Sequence, residues 1–237
     1  MKFTAYKYKI IRYKASITKL LFWAGLLFFS IGFFLVFLNY KMPLVDNINN
    51  LVLSFILLGS IPFISSHIYQ YFDYERIVFK KDGHLEINEE AIVIDHSLNI
   101  LYHEIKDIRF GVVAYYGQRI NMIYRNPVEQ KSLGIRNYIS IATDSHNYKY
   151  NFKLESEVQF KEFEQTIFEL VQSEKLDHID SKRRIKLVPA RFKKTSDYKN
   201  FVIKQIVEKR IGCTEGLLLH GYNTDDEAIE LRKKYCG

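Results

Sequence analysis

Two stretches within the first 72 residues carry no formal charge: Leu20–Leu38, nineteen residues, and Leu51–Phe72, twenty-two. At about 1.5 Å per residue, about twenty helical residues cross a hydrocarbon core of roughly 30 Å. A soluble domain rarely keeps a helix apolar on every face for that length. The first run is longer than a signal-peptide core, and no small-residue cleavage site follows Leu38. The pattern predicts a transmembrane helical hairpin over residues 20–72. Pro62 should kink the second helix.

The flanks orient the hairpin. Lys2, Lys7, Lys9, Arg12, Lys14 and Lys19 precede the first run with no acid among them. The intervening loop has Lys41 as its only base, and Arg76, Lys80 and Lys81 follow the second run. The positive-inside bias puts both termini in the cytoplasm of a multi-pass inner-membrane protein. Cys213 and Cys236 would then lie in a reducing compartment and remain thiols. Within the first span Gly25 and Gly32 are seven apart and share a face, which marks them as helix-packing positions. No Asp, Glu, Lys or Arg lies inside either run, which argues against an ion-coupled transporter.

Residues 1–19 form a basic segment of their own. Phe3, Tyr6, Ile10, Tyr13 and Ile17 recur at three- and four-residue intervals, one stripe of a helix with the six bases beside it. Such a helix lies on an anionic leaflet. The competing reading is a disordered basic tail that only sets topology.

From Tyr74 the period becomes two. Ile77 and Phe79 alternate, and Asp82-Gly83 offers a tight hairpin turn. Leu85 and Ile87, the run Ala91–Asp95, then Leu98, Ile100 and Tyr102 follow, with turns at Asn88–Glu90 and His96-Ser97. Further short strands are expected around Ile105–Phe110, Ile120–Tyr124, Ile139–Ile141 and Tyr148–Leu154. Turns this frequent predict an antiparallel meander closed into a barrel or curled sheet. Ser156, with Gln159 three residues on, can cap a helix whose Phe160, Phe163, Ile167, Leu170 and Val171 share one face. A meander followed by one amphipathic helix, behind a membrane hairpin, resembles the bacterial pleckstrin-homology-like domains over residues 73–172. That resemblance implies a barrel plugged by the helix. It does not extend to inositol-phosphate binding, because the first hairpin offers only Lys80-Lys81-Asp82-Gly83, and residues 73–172 hold twelve Lys/Arg against sixteen Asp/Glu.

Residues 173–195 return to net +5 and contain Lys182, Arg183, Arg184 and Lys186. This polybasic linker reads as a solvated run or a grip on anionic lipid. With only Phe192 and Tyr198 to stack on bases, it argues against direct nucleic-acid binding. Residues 196–237 read as a helical tail: Asp197–Ile211, a short helix from Thr214 to Gly221, and a third begun by a Thr224/Glu227 capping box.

No nucleotide-binding glycine loop, nucleophile elbow, HExxH or CxxC is present. His84/Glu86 and His178/Asp180 each lack a third ligand in sequence. Asp225-Asp226 suits a helix first turn, and Cys213 has no general base nearby in sequence. The expectation is a protein without catalytic, cofactor-binding or metal residues. Two membrane helices with a cytoplasmic sensing domain also resemble the two-helix transmembrane effectors of bacterial anti-phage systems linked to retrons or cyclic-oligonucleotide signalling. The resemblance implies a protein or nucleotide-derived signal bound by the cytoplasmic domain. It further implies homo-oligomerisation, with close approach at Gly25 and Gly32, and perturbation of the lipid bilayer. The alternatives are a membrane-anchored binding or scaffold module and an enzyme whose site is assembled only in three dimensions.

Overall fold

The computed structural model describes residues 2–41, 48–122 and 126–236. Seven strands form one open antiparallel sheet in the order β4-β3-β2-β1-β7-β6-β5. They are β1 (Phe3–Lys14), β2 (Arg76–Ile87), β3 (Ala91–Ile94), β4 (Leu98–Leu101), β5 (Asp107–Gly111), β6 (Asn137–Ala142) and β7 (Asn147–Phe152). The helices are α1 (Ile17–Lys41), α2 (Ile48–Tyr69), α3 (Glu157–Gln172), α4 (Ser181–Leu187), α5 (Ser196–Val207), α6 (Cys213–His220) and α7 (Asp225–Tyr235).

The first correction concerns residues 1–19. The segment read as a surface helix or loose tail is the middle strand of the sheet. Phe3, Ala5 and Lys7 point inward and Thr4, Tyr6 and Lys9 outward. The strand pairs with β2 from Phe3↔Ile87 to Lys14↔Arg76 and with β7 at Lys7↔Phe152. Its spacing fits a helical stripe, but cross-strand pairing decides the outcome, and the partners lie some seventy and one hundred and fifty residues downstream. A boundary at residue 73 therefore leaves out the strand on which the sheet is centred.

Asp82-Gly83 is likewise not a hairpin turn. β2 runs through it, with a register shift opposite Tyr6/Tyr8, and Gly83 sits at φ +115°. A Cβ there would overlap the Asp95 carboxylate, so this bulge requires glycine. The strand expected around Ile120–Tyr124 is reduced to an isolated bridge, Arg119↔Lys131, and Tyr124 lies outside the described residues. The sheet is open rather than a closed barrel, with β4 and β5 as its edges.

α3 lies across the inner face, as its apolar stripe requires. The Phe163 ring sits 4.7 Å from Phe3, 4.9 Å from Phe152 and 5.7 Å from Phe110, so strands β1, β7 and β5 curl around one side chain. The Ser156 hydroxyl accepts from the Gln159 N–H, and the Gln159 amide donates to the Thr4 carbonyl, tying the cap to β1.

The polybasic linker is built in as well. Residues 181–187 form α4, capped by Asp180, with Ile185 and Val188 in the same core as the sheet, α3, Tyr198 and Val202. The tail thus shares one core with the sheet. At its end Cys213 and Cys236 form a disulfide, where thiols were expected. The two cysteines close α6 onto the end of α7, twenty-three residues apart.

Candidate functional site at the junction of hairpin and sheet

α1 and α2 are long and apolar enough to cross a membrane, with mean hydropathies of 2.4 and 1.9. Only 11% of either apolar window is covered by the rest of the chain, unlike a soluble core helix. Trp23, Leu27, Phe33, Phe34 and Phe37 on α1, and Leu57, Ile61, Ile64 and Ile68 on α2, face outward. The inner seam is tight. Gly25 meets Gly59 and Phe63, and Gly32 meets Phe55 and Ile56. The two glycines singled out from sequence therefore pack α1 against α2 of the same chain. Their face is filled, and a second copy would have to use the Phe- and Leu-bearing outer faces. Gly59, the third member of the seam, was not singled out, although it is the one glycine of the second run. α2 continues through Pro62 as a single helix.

The hairpin is inserted between β1 and β2, which pair with each other. Lys14 and Arg76 are cross-strand partners, and α1 begins only three residues after Lys14. Both helix ends at the sheet are therefore held on one side by the sheet itself, independently of any charge bias.

A polar collar secures this junction. The Thr18 backbone N–H and hydroxyl each donate to one Asp73 oxygen at 2.8 Å, so a residue after α2 supplies a capping carboxylate to the first turn of α1. Ser16, Thr18, Ser66, Asp73 and Glu75 are all buried. The chain from 70 to 75 is laced to 130–132. The Gln130 N–H donates to the Gln70 carbonyl, the Lys131 N–H to that of Asp73, and the Glu75 N–H to that of Lys131. Glu75 accepts from the Ser132 hydroxyl and Leu133 N–H, both at 2.9 Å, with Arg136 at 3.6 Å. Tyr74 stacks on Tyr116 at 5.3 Å.

Lys19 pairs with Glu129 at 2.9 Å. Burial alone would raise the Glu129 pKa; hydrogen bonds from Lys19 and Ser16 outweigh it and hold the carboxyl below its ordinary value. Its second oxygen is buried without a hydrogen-bond partner. Sequence reading missed Thr18, Asp73, Glu75, Glu129 and Ser132 as a group. The available signal was polar residues clustered where two apolar runs end, but their joining depends on the sheet.

The bases proposed to face the leaflet divide. Lys7 is buried in the sheet, 2.6 Å from Asp95 and 3.8 Å from Asp82, with the Tyr150 ring 4.6 Å away, so it cannot touch lipid. Lys19 is held by Glu129. Lys2, Lys9, Arg12 and Lys14 remain exposed along β1. There Lys9 opposes Lys80 and Lys14 opposes Arg76, like charges directly across a ladder that weaken it unless an anion lies nearby. In α4, Arg184 is buried against Asp177, Lys182 pairs with Glu215 at 2.7 Å, Arg183 stands 3.6 Å from Asp107, and Lys186 is exposed.

Most of the residues weighed for chemistry have structural partners. The His84 ring packs at a tilt against those of Tyr6 at 4.4 Å and His96 at 5.1 Å. His178 bonds the Ile105 carbonyl at 2.7 Å, Asp180 caps α4, and Asp225 and Asp226 sit in the first turn of α7. Among the described residues no three His, Cys, Asp or Glu side chains converge as a metal set. Compared with known proteins, the chain matches no family model, no curated protein and no solved structure.

Proposed function

We propose that this chain is a non-enzymatic inner-membrane effector of the anti-phage, abortive-infection type. Its sheet domain receives a signal on the cytoplasmic side, and the state of that domain gates assembly of the membrane helices. The observation that carries this reading is the junction. A module that merely tethers a binding domain needs only a loose linker. Here β1 enters α1 after Ala15 and Ser16, and α2 returns through six residues, of which Gln70, Asp73 and Glu75 are hydrogen-bonded to residues 130–133. A shift of β1 within the sheet is therefore transmitted to the helix pair rather than absorbed.

One hairpin cannot enclose a water path, so the effector reading requires several copies meeting through their outer faces. The exposed bases of β1 and of Arg76, Lys80 and Lys81 support a cytoplasmic sheet by the positive-inside rule and suit an anionic leaflet.

The test is inducible expression in bacteria, with colony counts and entry of a membrane-impermeant dye. Wild type should depolarise and admit dye once overproduced. Asp73→Ala should insert at the same level with at most about a tenth of the dye entry, because it uncouples α1 from the sheet. A wild-type chain that accumulates in the membrane without harming growth or admitting dye would overturn the effector reading and favour the scaffold.

A further inference from the structure

The tail contains a cleft of about 590 Å³, within the size range of small-molecule sites. Three segments distant in sequence enclose it: the start of α4, the turn between α5 and α6, and the last turn of α7. Its walls carry Lys182, Lys209, Arg210 and Lys234 and, among the described residues, no carboxylate. Ile206 and Ile211 supply apolar surface, and the Tyr235 ring and the Cys213–Cys236 disulfide line the α7 side.

Two of the four cations are already engaged, Lys182 by Glu215 and Arg210 by Asp177 and Glu208. Lys209 and Lys234 have no carboxylate within ion-pair distance among the described residues. Lys209 also stands at φ +55°, at the end of α5, where a glycine would be free of strain. The helix dipole accounts for a base at Lys234 in the last turn of α7, where its Nζ lies 5.1 Å from the Tyr235 ring centroid; it does not account for Lys209, which lines the same cleft from another element. Over residues 196–237 the acids and bases balance at seven each, so the cationic wall is a local concentration of charge and not a reflection of a basic tail.

We infer that this cleft binds a phosphorylated small molecule bearing an aromatic or apolar group. The phosphates would lie between Lys209 and Lys234, and the apolar part against Ile206, Ile211 and Tyr235. The disulfide holds the last turn of α7, and with it Lys234 and Tyr235, at the edge of the cleft, so reducing it should loosen the site. The inference deepens the effector reading by giving the chemistry of its signal. Its test reads binding alone and stands or falls separately from any effect on membranes.

The experiment is titration of the full-length protein in detergent micelles with ATP and, in parallel, inorganic pyrophosphate, by calorimetry and thermal shift. ATP should bind more tightly than pyrophosphate, and both should weaken with added salt. Lys209→Glu with Lys234→Glu should cost about 100-fold in affinity, the loss of two charge-assisted contacts. Lys193→Glu with Lys194→Glu, an equal charge change on exposed bases away from the cleft, should leave it unchanged. Treatment of wild type with dithiothreitol should weaken ATP binding. The inference is overturned if neither probe binds at millimolar concentration, or if the cleft and control variants lose affinity equally. A melting point for the cleft variant equal to wild type keeps misfolding from imitating the expected loss.

Discussion

Replacing Gly25 or Gly32 by alanine adds the same methyl group to the same helix, yet the two outcomes should differ in sign. At Gly25 the new Cβ would stand 2.8 Å from the Phe63 Cβ, 2.9 Å from the Phe63 nitrogen and 3.0 Å from the Gly59 oxygen. Carbon contacts settle at about 3.5–4.0 Å. Two of the three obstructing atoms are backbone, so no rotamer change relieves the overlap and the helices must part. At Gly32 the nearest atoms are 3.6, 3.6 and 3.9 Å away, an ordinary contact. The helix-propensity gain of alanine over glycine, about 1 kcal/mol, is common to both and cancels in the comparison. What remains is the overpacking term, about 1–3 kcal/mol, or roughly 5- to 150-fold in the unfolding equilibrium. The assay is SDS titration of each full-length variant from a mild detergent, followed by far-UV circular dichroism and by the fluorescence of Trp23, the sole tryptophan. Gly32→Ala should match or exceed wild type and Gly25→Ala should unfold at lower SDS. If Gly25→Ala proves as resistant as Gly32→Ala, the seam is not packed as described.

Because Lys14 and Arg76 are cross-strand partners, a chain joining residues 2–14 through Asn-Gly to 76–236 should be soluble and melt cooperatively. A chain of residues 74–236 lacks β1 and should not; a well-dispersed amide spectrum from it would refute the central role of β1. Glu129 is held below its ordinary pKa, so its contribution is complete above the unfolded value of about 4.3 and is lost as pH falls through the lower folded value. Thermal stability in detergent should decline more steeply below about pH 4 in wild type than in Glu129→Gln, and equal acid slopes would refute the pairing. Reporters placed at residue 45 and at the C-terminus should score on opposite sides of the membrane, with the C-terminal one cytoplasmic. A C-terminal reporter scoring outside would reverse the orientation.

Sequence alone was sufficient for elements whose partners are local or whose whole surface is apolar. The apolar runs, the Ser156 and Thr224 helix starts and the strands from Ala91 to Leu101 all follow from near neighbours. Thr224 indeed accepts from the Glu227 N–H, while Glu227 accepts from that of Asn223. The failures share one cause: partners far along the chain. Phe3–Lys14 fits a helical stripe until β2 and β7 pair with it. Asp82-Gly83 fits a turn until Asp95 fills the space beside the glycine. Arg184 looks like a solvated base until Asp177 and the core enclose it. The collar was illegible for the same reason, since Thr18 and Asp73 meet only because sixty residues between β1 and β2 leave and return to one point.

That interruption also orders events during synthesis. β1 is made first, and its flanking strand β2 follows only after both apolar helices have been translated, while β7 arrives later still. Until then β1 presents two unpaired edges, a form prone to pairing with the wrong chain. Its long-range contacts cannot form until α1 and α2 stand side by side and bring Arg76 back to Lys14. A nascent chain whose α1 and α2 fail to pair would leave the sheet without its central strand and expose it to proteolysis. Pairing of the two apolar helices therefore acts as a checkpoint for folding of the sheet, and on the proposed membrane reading no folded sheet should accumulate away from a bilayer.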